Sequence, residues 1–164
     1  AHLRVLGENT VDGTLGGTGL LFTGGGSLAA GELNVWAWGS VRAPLLAVHD
    51  GTNVRCGALH MGSNAEEKGT LLVESGSLTA DGEFWLQNAA LTVTGGELTL
   101  AGDASIDCGE VRISGGTVTF GHGLWLGEGD IVITGGTVIV PGGEAGLTAE
   151  NGKVTISGGT VREP

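Results

Sequence analysis

The sequence predicts an all-β fold, a parallel β-solenoid (β-helix) of about eight rungs, each of about 20 residues and three short strands. Three observations predict it. An apolar–x–apolar triplet runs through a glycine into a second such stretch at 71–80 (LLVESGSLTA), 91–100 (LTVTGGELTL), 111–120 (VRISGGTVTF), 131–140 (IVITGGTVIV) and, cut short, 154–161 (VTISGGTV). The anchor glycines Gly76, Gly96, Gly116 and Gly136 are spaced by 20 residues, and Gly159 follows after 23. Within each copy the apolar residues alternate with period 2, as in strands that turn one side inward. A fixed period of this length means that one supersecondary unit is stacked on copies of itself. An antiparallel sandwich is the alternative, disfavoured because its strands need not repeat one another.

Taken in order, Leu3 and Val5 start a first strand in poor register, and Leu20 and Phe22 precede Gly24-Gly25 in an early rung. Leu46, Val48, Val54, Cys56, Leu59 and Met61 form the next rung, followed by a longer loop at 64–68. The unit anchored at Gly76 turns Leu71, Val73, Leu78, Ala80, Phe84 and Leu86 inward. The Gly96 unit does the same with Leu91, Val93, Leu98, Leu100, Ala104 and Ile106, and the Gly116 unit with Val111, Ile113, Val118, Phe120, Leu124 and Leu126. Ile131, Ile133, Val138, Val140, Leu147 and Ala149 make a rung whose second corner carries an insertion at 141–143. Corners such as Gly95-Gly96 and Gly102-Asp103 use glycine because a tight turn needs positive φ. An interior glycine costs about 0.5–1 kcal/mol, whereas each buried aliphatic contributes about 1.5–3 kcal/mol, so six per rung outweigh the corners. The chain therefore reads as a single domain over 1–164, with irregular rungs over 1–43 and regular repeats over 44–164.

Composition narrows the function classes. The 164 residues include 34 glycines without a G-X-Y period, which excludes collagen. Eighteen acids against 7 Lys and Arg give a net charge of −11, and no cationic cluster offers a phosphate-binding patch, so nucleic acid is not an expected partner. Apolar runs are too short for a membrane-spanning helix, and membrane insertion is not expected. The chain begins at Ala1, as if after processing or truncation. Cys56 and Cys108 are too few for a disulfide framework. They are expected to stay unbonded, since Cys56 points inward and Cys108 follows a third strand two rungs on.

With the rung drawn, 57–76 (GALHMGSNAEEKGTLLVESG) and 123–136 (GLWLGEGDIVITGG) resemble the glycine-rich β-strand repeats of bacterial autotransporter passenger domains and PEP-CTERM-associated surface proteins. Leu59-His60-Met61-Gly62 and Leu124-Trp125-Leu126-Gly127 match the first half of that repeat, and 111–118 and 154–161 match the second. The resemblance covers most of 44–161 and implies export to the cell surface or beyond. It brings no catalytic residue, because the matched positions are packing and corner positions.

Catalysis on such a scaffold needs several carboxylates converging on one groove. Asp103, Asp107 and Glu110 cluster, but at corners where acids serve turns. Arg112 has Thr92 and Val132 as rung neighbours, so no acid is expected to stack beside it. No enzymatic activity and no cofactor are expected. Glu128 with Asp130 reads as solvated turn acids rather than a cation site, and His49, His60 and His122 fall on different parts of the rung, so no metal site is expected. The threonine files Thr79, Thr99, Thr119 and Thr94, Ser114, Thr134, Ser157 read as outward β-branched filling rather than an ice-binding face.

The tryptophans are the strongest binding candidates. Trp85 and Trp125 take the same outward position two rungs apart, with His60 one rung before Trp85, and such a ladder suits a sugar ring or another protein. A loop folded over them is the competing reading. Trp36 and Trp38 are expected in the core. At the ends, Leu3 and Val5 on one side and Val154, Ile156 and Val161 on the other are expected to be open edges. They would be met by further copies stacking head to tail, or by the rest of a longer surface protein. A proline at Thr155 is expected to cap that edge. The function expected is thus a non-enzymatic extracellular module of a stalk, adhesin or self-assembling fibre, with a carbohydrate-binding or carbohydrate-cleaving β-helix as the alternative.

Overall fold

A computed structural model describes residues 2–37, 43–63, 68–141 and 146–164. Trp38, most of the 64–68 loop and most of the insertion at 141–143 lie outside the described residues. Among the described residues there are 19 strands and no helix. Every strand pairing is parallel. Interior strands pair with the equivalent strand one coil before and one coil after, and the strands at the two ends pair on one side only, which is the parallel β-solenoid expected from the repeat.

The coil has three faces. The first runs from His2–Arg4 through Gly69–Val73 and Ala89–Val93 to Val154–Ile156. The second ends on Thr160–Arg162 and includes Ser77–Ala80, Glu97–Leu100 and Thr117–Phe120. The third includes Phe84–Gln87 and Leu124–Glu128 and ends on Leu147–Asn151. Some strands round a corner without a break. Ser27–Ala37 and Asn53–Ser63 each cover the second and third faces, and Ala104–Ile113 covers the third and first. Seven coils are complete among the described residues, and an eighth has only two strands. The first coil, which the sequence reads only in poor register, is complete.

Register explains the period. Leu91 pairs with Leu71 on one side and Val111 on the other, and Val111 pairs with Ile131, so equivalent residues stack in straight files. All 18 inward positions read from the three regular units are buried. Sizes are exchanged between neighbouring coils at the second corner. Ala80 accompanies Phe84 in one coil, and Leu100 accompanies Ala104 in the next, which keeps the interior filled as the files pass from coil to coil.

The anchor glycines turn the corner between the first and second faces. Gly96 has φ of 69°, and a Cβ there would lie 2.5 Å from the Gly76 carbonyl oxygen of the coil above. That close approach lets the Glu97 N–H donate to the Gly76 carbonyl at 2.8 Å, and the Thr117 N–H to the Gly96 carbonyl at 2.9 Å. Hydrogen bonding between coils thus continues round the corner instead of stopping at each strand end.

The two ends differ in shape. On the last coil Val154 and Ile156 are 39% and 53% exposed, whereas Ile131 and Ile133, paired with them in the coil before, are buried. On the first coil Leu3, Val11 and Leu15 are partly buried and border, with Val5 and Leu28, a recess of about 240 Å³. Asn9 heads the file of Leu28, Val54 and Leu78. Its side-chain amide donates to the carbonyls of Leu6 and Ser27, at 3.0 and 3.4 Å. The first coil is therefore less apolar than the sequence reading of two bare ends implied.

Candidate functional site

The third face carries the chemistry. Alternation sends Leu33, Leu59, Phe84, Ala104 and Leu124 inward. It leaves the intervening residues Asn34, His60, Trp85, Ser105, Trp125 and Thr148 as one outward file in direct register. Trp85, Trp125 and His60 thus stand where the repeat places them.

Trp36 overturns its expected place in the core. Leu33 and Val35 take the inward positions, so Trp36 projects outward and is half-buried on the surface. It pairs in register with Gly62, whose missing side chain makes room for the indole: a Cβ there would come within 2.2 Å of the ring. From that seat Trp36 stacks on Trp85, with ring centroids 5.7 Å apart and planes 19° from parallel. One side of Trp85 is therefore covered by another indole of the same face.

His60 closes the patch. Its ring meets Trp85 edge-on, with centroids 6.3 Å apart. Its Nδ1 lies 3.1 Å from a Glu32 carboxylate oxygen and its Nε2 3.2 Å from one of Glu83. An ionised carboxylate only accepts, so the neutral ring satisfies one of these contacts and the imidazolium both. The Asn34 amide donates to the same Glu32 oxygen at 3.3 Å. Asn34, Trp36, His60, Glu83 and Trp85 line an open cleft of about 410 Å³.

A second cleft of about 430 Å³ lies farther along the same face, lined by Asp103, Ser105, His122, Trp125 and Thr148 among others. His122 Nδ1 is 3.0 Å from Asp103. Trp125 is 40% exposed, rests its ring against Gly127 and donates its Nε1–H to Glu150 at 3.1 Å. Each cleft therefore combines one outward tryptophan of the file, a histidine and a carboxylate, on adjacent stretches of one face.

The remaining candidates sit elsewhere. Arg112 has Thr92 and Val132 as register neighbours, as expected, so no acid stacks on it from the adjacent coils; its guanidinium reaches Glu110 of its own strand at 3.3 Å. His49 pairs with Glu74, and on the second face Arg55 holds Asp81 through two hydrogen bonds of 2.7 and 3.0 Å. That pairing raises the Arg55 pKa, chiefly through its hydrogen bond to Asp81. Among the described residues no three His, Cys, Asp or Glu side chains gather as a metal-binding group. Cys56 is buried and Cys108 partly buried, and both are free thiols. Of the edge residues, Val5 is buried, Leu3 and Val161 are partly buried, and Val154 and Ile156 are exposed.

The sequence reading missed Trp36, Glu32 and Glu83 as parts of the patch. The signal was available in the alternation of Leu33 and Val35, which fixes the parity of Glu32, Asn34 and Trp36 as outward. No family model, curated protein or solved structure matches the chain, so the likeness to surface-protein repeats rests on the quoted motifs alone.

Proposed function

We propose that this protein is a non-enzymatic structural β-solenoid of the cell surface or extracellular space, acting as a module of a stalk, adhesin or fibre in which further copies stack on its ends. The surface location rests on the likeness of its repeats to those of autotransporter passenger domains. The stacking rests on one observation: the interior files run unbroken to Val154 and Ile156, which are then left exposed. A bare apolar strand edge is a liability unless another strand meets it. The recess bordered by Leu3, Val11 and Leu15 on the first coil offers the complementary surface. Joining unlike ends makes an open, heterologous contact that propagates along the axis.

The edge can be blocked by design. The Lys153 carbonyl accepts from the Ile131 N–H, and the Ser157 N–H donates to the Ile133 carbonyl. Alternate residues of a strand direct their N–H and C=O groups to opposite neighbours. Thr155 therefore bonds back to its own molecule, and a proline there breaks an internal bond instead of capping the edge as the sequence suggested. Val154 and Ile156 direct theirs outward. Ile156→Pro is expected to leave the earlier coils folded and to abolish sedimentable assemblies formed by the unmodified chain at high concentration. Assemblies of undiminished size from Ile156→Pro would refute stacking through this edge.

A further inference from the structure

The tryptophan file has a spacing as well as a chemistry. Trp85 and Trp125 lie two coils apart, with Ser105 between them. At roughly 4.8 Å per coil they are roughly 9.6 Å apart along the axis. A pyranose in an extended β-linked chain advances by about one such coil, so every second ring of that chain falls on an indole. An indole face attracts the weakly positive C–H bonds on the apolar side of a sugar ring. The hydroxyls at the rim of that ring need acceptors and donors. Asn34 and Glu83 supply them beside Trp85, and Asp103, Ser105 and Thr148 beside Trp125.

Charge selects among chains of this shape. Glu32, Glu83, Asp103 and Glu150 all stand at the two clefts or against their histidines and indole, on a molecule of net charge −11. An anionic polysaccharide is repelled there, while the hydroxyls of a neutral one donate to carboxylates in strong, charge-assisted hydrogen bonds. We propose that the third face binds an unbranched, neutral, β-linked polysaccharide lying along the solenoid axis, with one sugar ring stacked at Trp85 and the next but one at Trp125. This goes beyond the structural reading and does not depend on copies stacking end to end.

The test is titration of the full chain with neutral hexasaccharides of β-1,4-linked glucose, mannose and N-acetylglucosamine, their disaccharides, and anionic hexagalacturonate, read by calorimetry and tryptophan fluorescence. At least one neutral hexasaccharide is expected to bind, its disaccharide about tenfold or more weaker because it reaches only one indole, and hexagalacturonate not at all. Trp85→Ala and Trp125→Ala are each expected to weaken hexasaccharide binding by about tenfold or more, with the melting temperature little changed. Gly62→Ala, which drives the Trp36 ring off its seat without touching either file residue, is expected to weaken binding at the Trp85 end. Three results would overturn the proposal: no saturable binding of any neutral hexasaccharide, unchanged affinity in both tryptophan variants, or equal affinity for hexagalacturonate. Loss of self-association on replacing Trp85 or Trp125 would assign this face to contacts between copies, and would also overturn it.

Discussion

At the scale of single residues, most side chains of this protein are fixed by which of two directions they face. Ile113 faces inward, 1% exposed, and pairs with Val93 and Ile133 in the coils on either side. Ile113→Asp would place a carboxylate among aliphatic neighbours with nothing to compensate its lost hydration. A loss of more than about 4 kcal/mol and failure to give soluble folded protein are expected, read by circular dichroism and solubility. Cys56 makes the same point through its chemistry. Burial first, and the nearby Asp81 second, push its thiol from an ordinary value of 9.0 up to about 12. The thiolate is the nucleophile, so Cys56 is expected to resist alkylation of the native protein at pH 8, while the partly exposed Cys108 is the faster of the two to react. Because the folded pKa is raised, the stability from burying the neutral thiol is intact below about pH 9. It is lost as the pH climbs towards about 12. Replacing Cys56 with Ala is expected to flatten this alkaline fall in melting temperature, measured across that window.

At the scale of the strand and corner, neighbouring coils share one interior. Phe84 is fully buried opposite the small Ala80 of its own coil, and Ala104 pairs with it in the next. Phe84→Ala therefore leaves two alanines facing a third, a cavity that surrounding strands held in register are poorly able to collapse. A loss of about 3–5 kcal/mol is expected in chemical denaturation. The fold was legible in the sequence at this scale because a strand repeats every 2 residues and the coil every 20. Two superposed periods assign each residue of the regular units a face and a direction. The site was half legible. His60, Trp85 and Trp125 fall on one file of the regular register, so spacing alone aligned them. Trp36 was misplaced because the early coils are not of constant length: Phe22 pairs on to Val48 and Val48 to Val73, well beyond the regular spacing. Composition favours burying an indole, but local alternation about Leu33 and Val35 wins, because it is set by the backbone pleat. That Trp36 lands on Gly62, and so against Trp85, is a contact across coils, and no single stretch of sequence contains it.

At the scale of the whole molecule, the proposed stacking of copies would make each solenoid one block of a longer fibre. Its interior is a column of apolar files, and Val154 and Ile156 of the last coil are exposed while Ile131 and Ile133, paired with them in the coil before, are buried. Its first coil offers a recess whose only polar inward group on the second face, Asn9, is already bonded to its own backbone. In the proposed stacking, the apolar column and the strand hydrogen bonds of the first and second faces continue across the joint, and this fixes the geometry of the assembly. Eight layers on the first and second faces, at roughly 4.8 Å each, give an axial subunit repeat of about 38 Å, with seven layers on the third face and the strands perpendicular to the fibre axis. Electron microscopy of the purified, unmodified chain at high concentration measures this directly. Unbranched filaments with that axial repeat and a layer spacing of about 4.8 Å along the fibre are the predicted result. Monodisperse single particles under the same conditions, or filaments whose strands run along the axis, would contradict it.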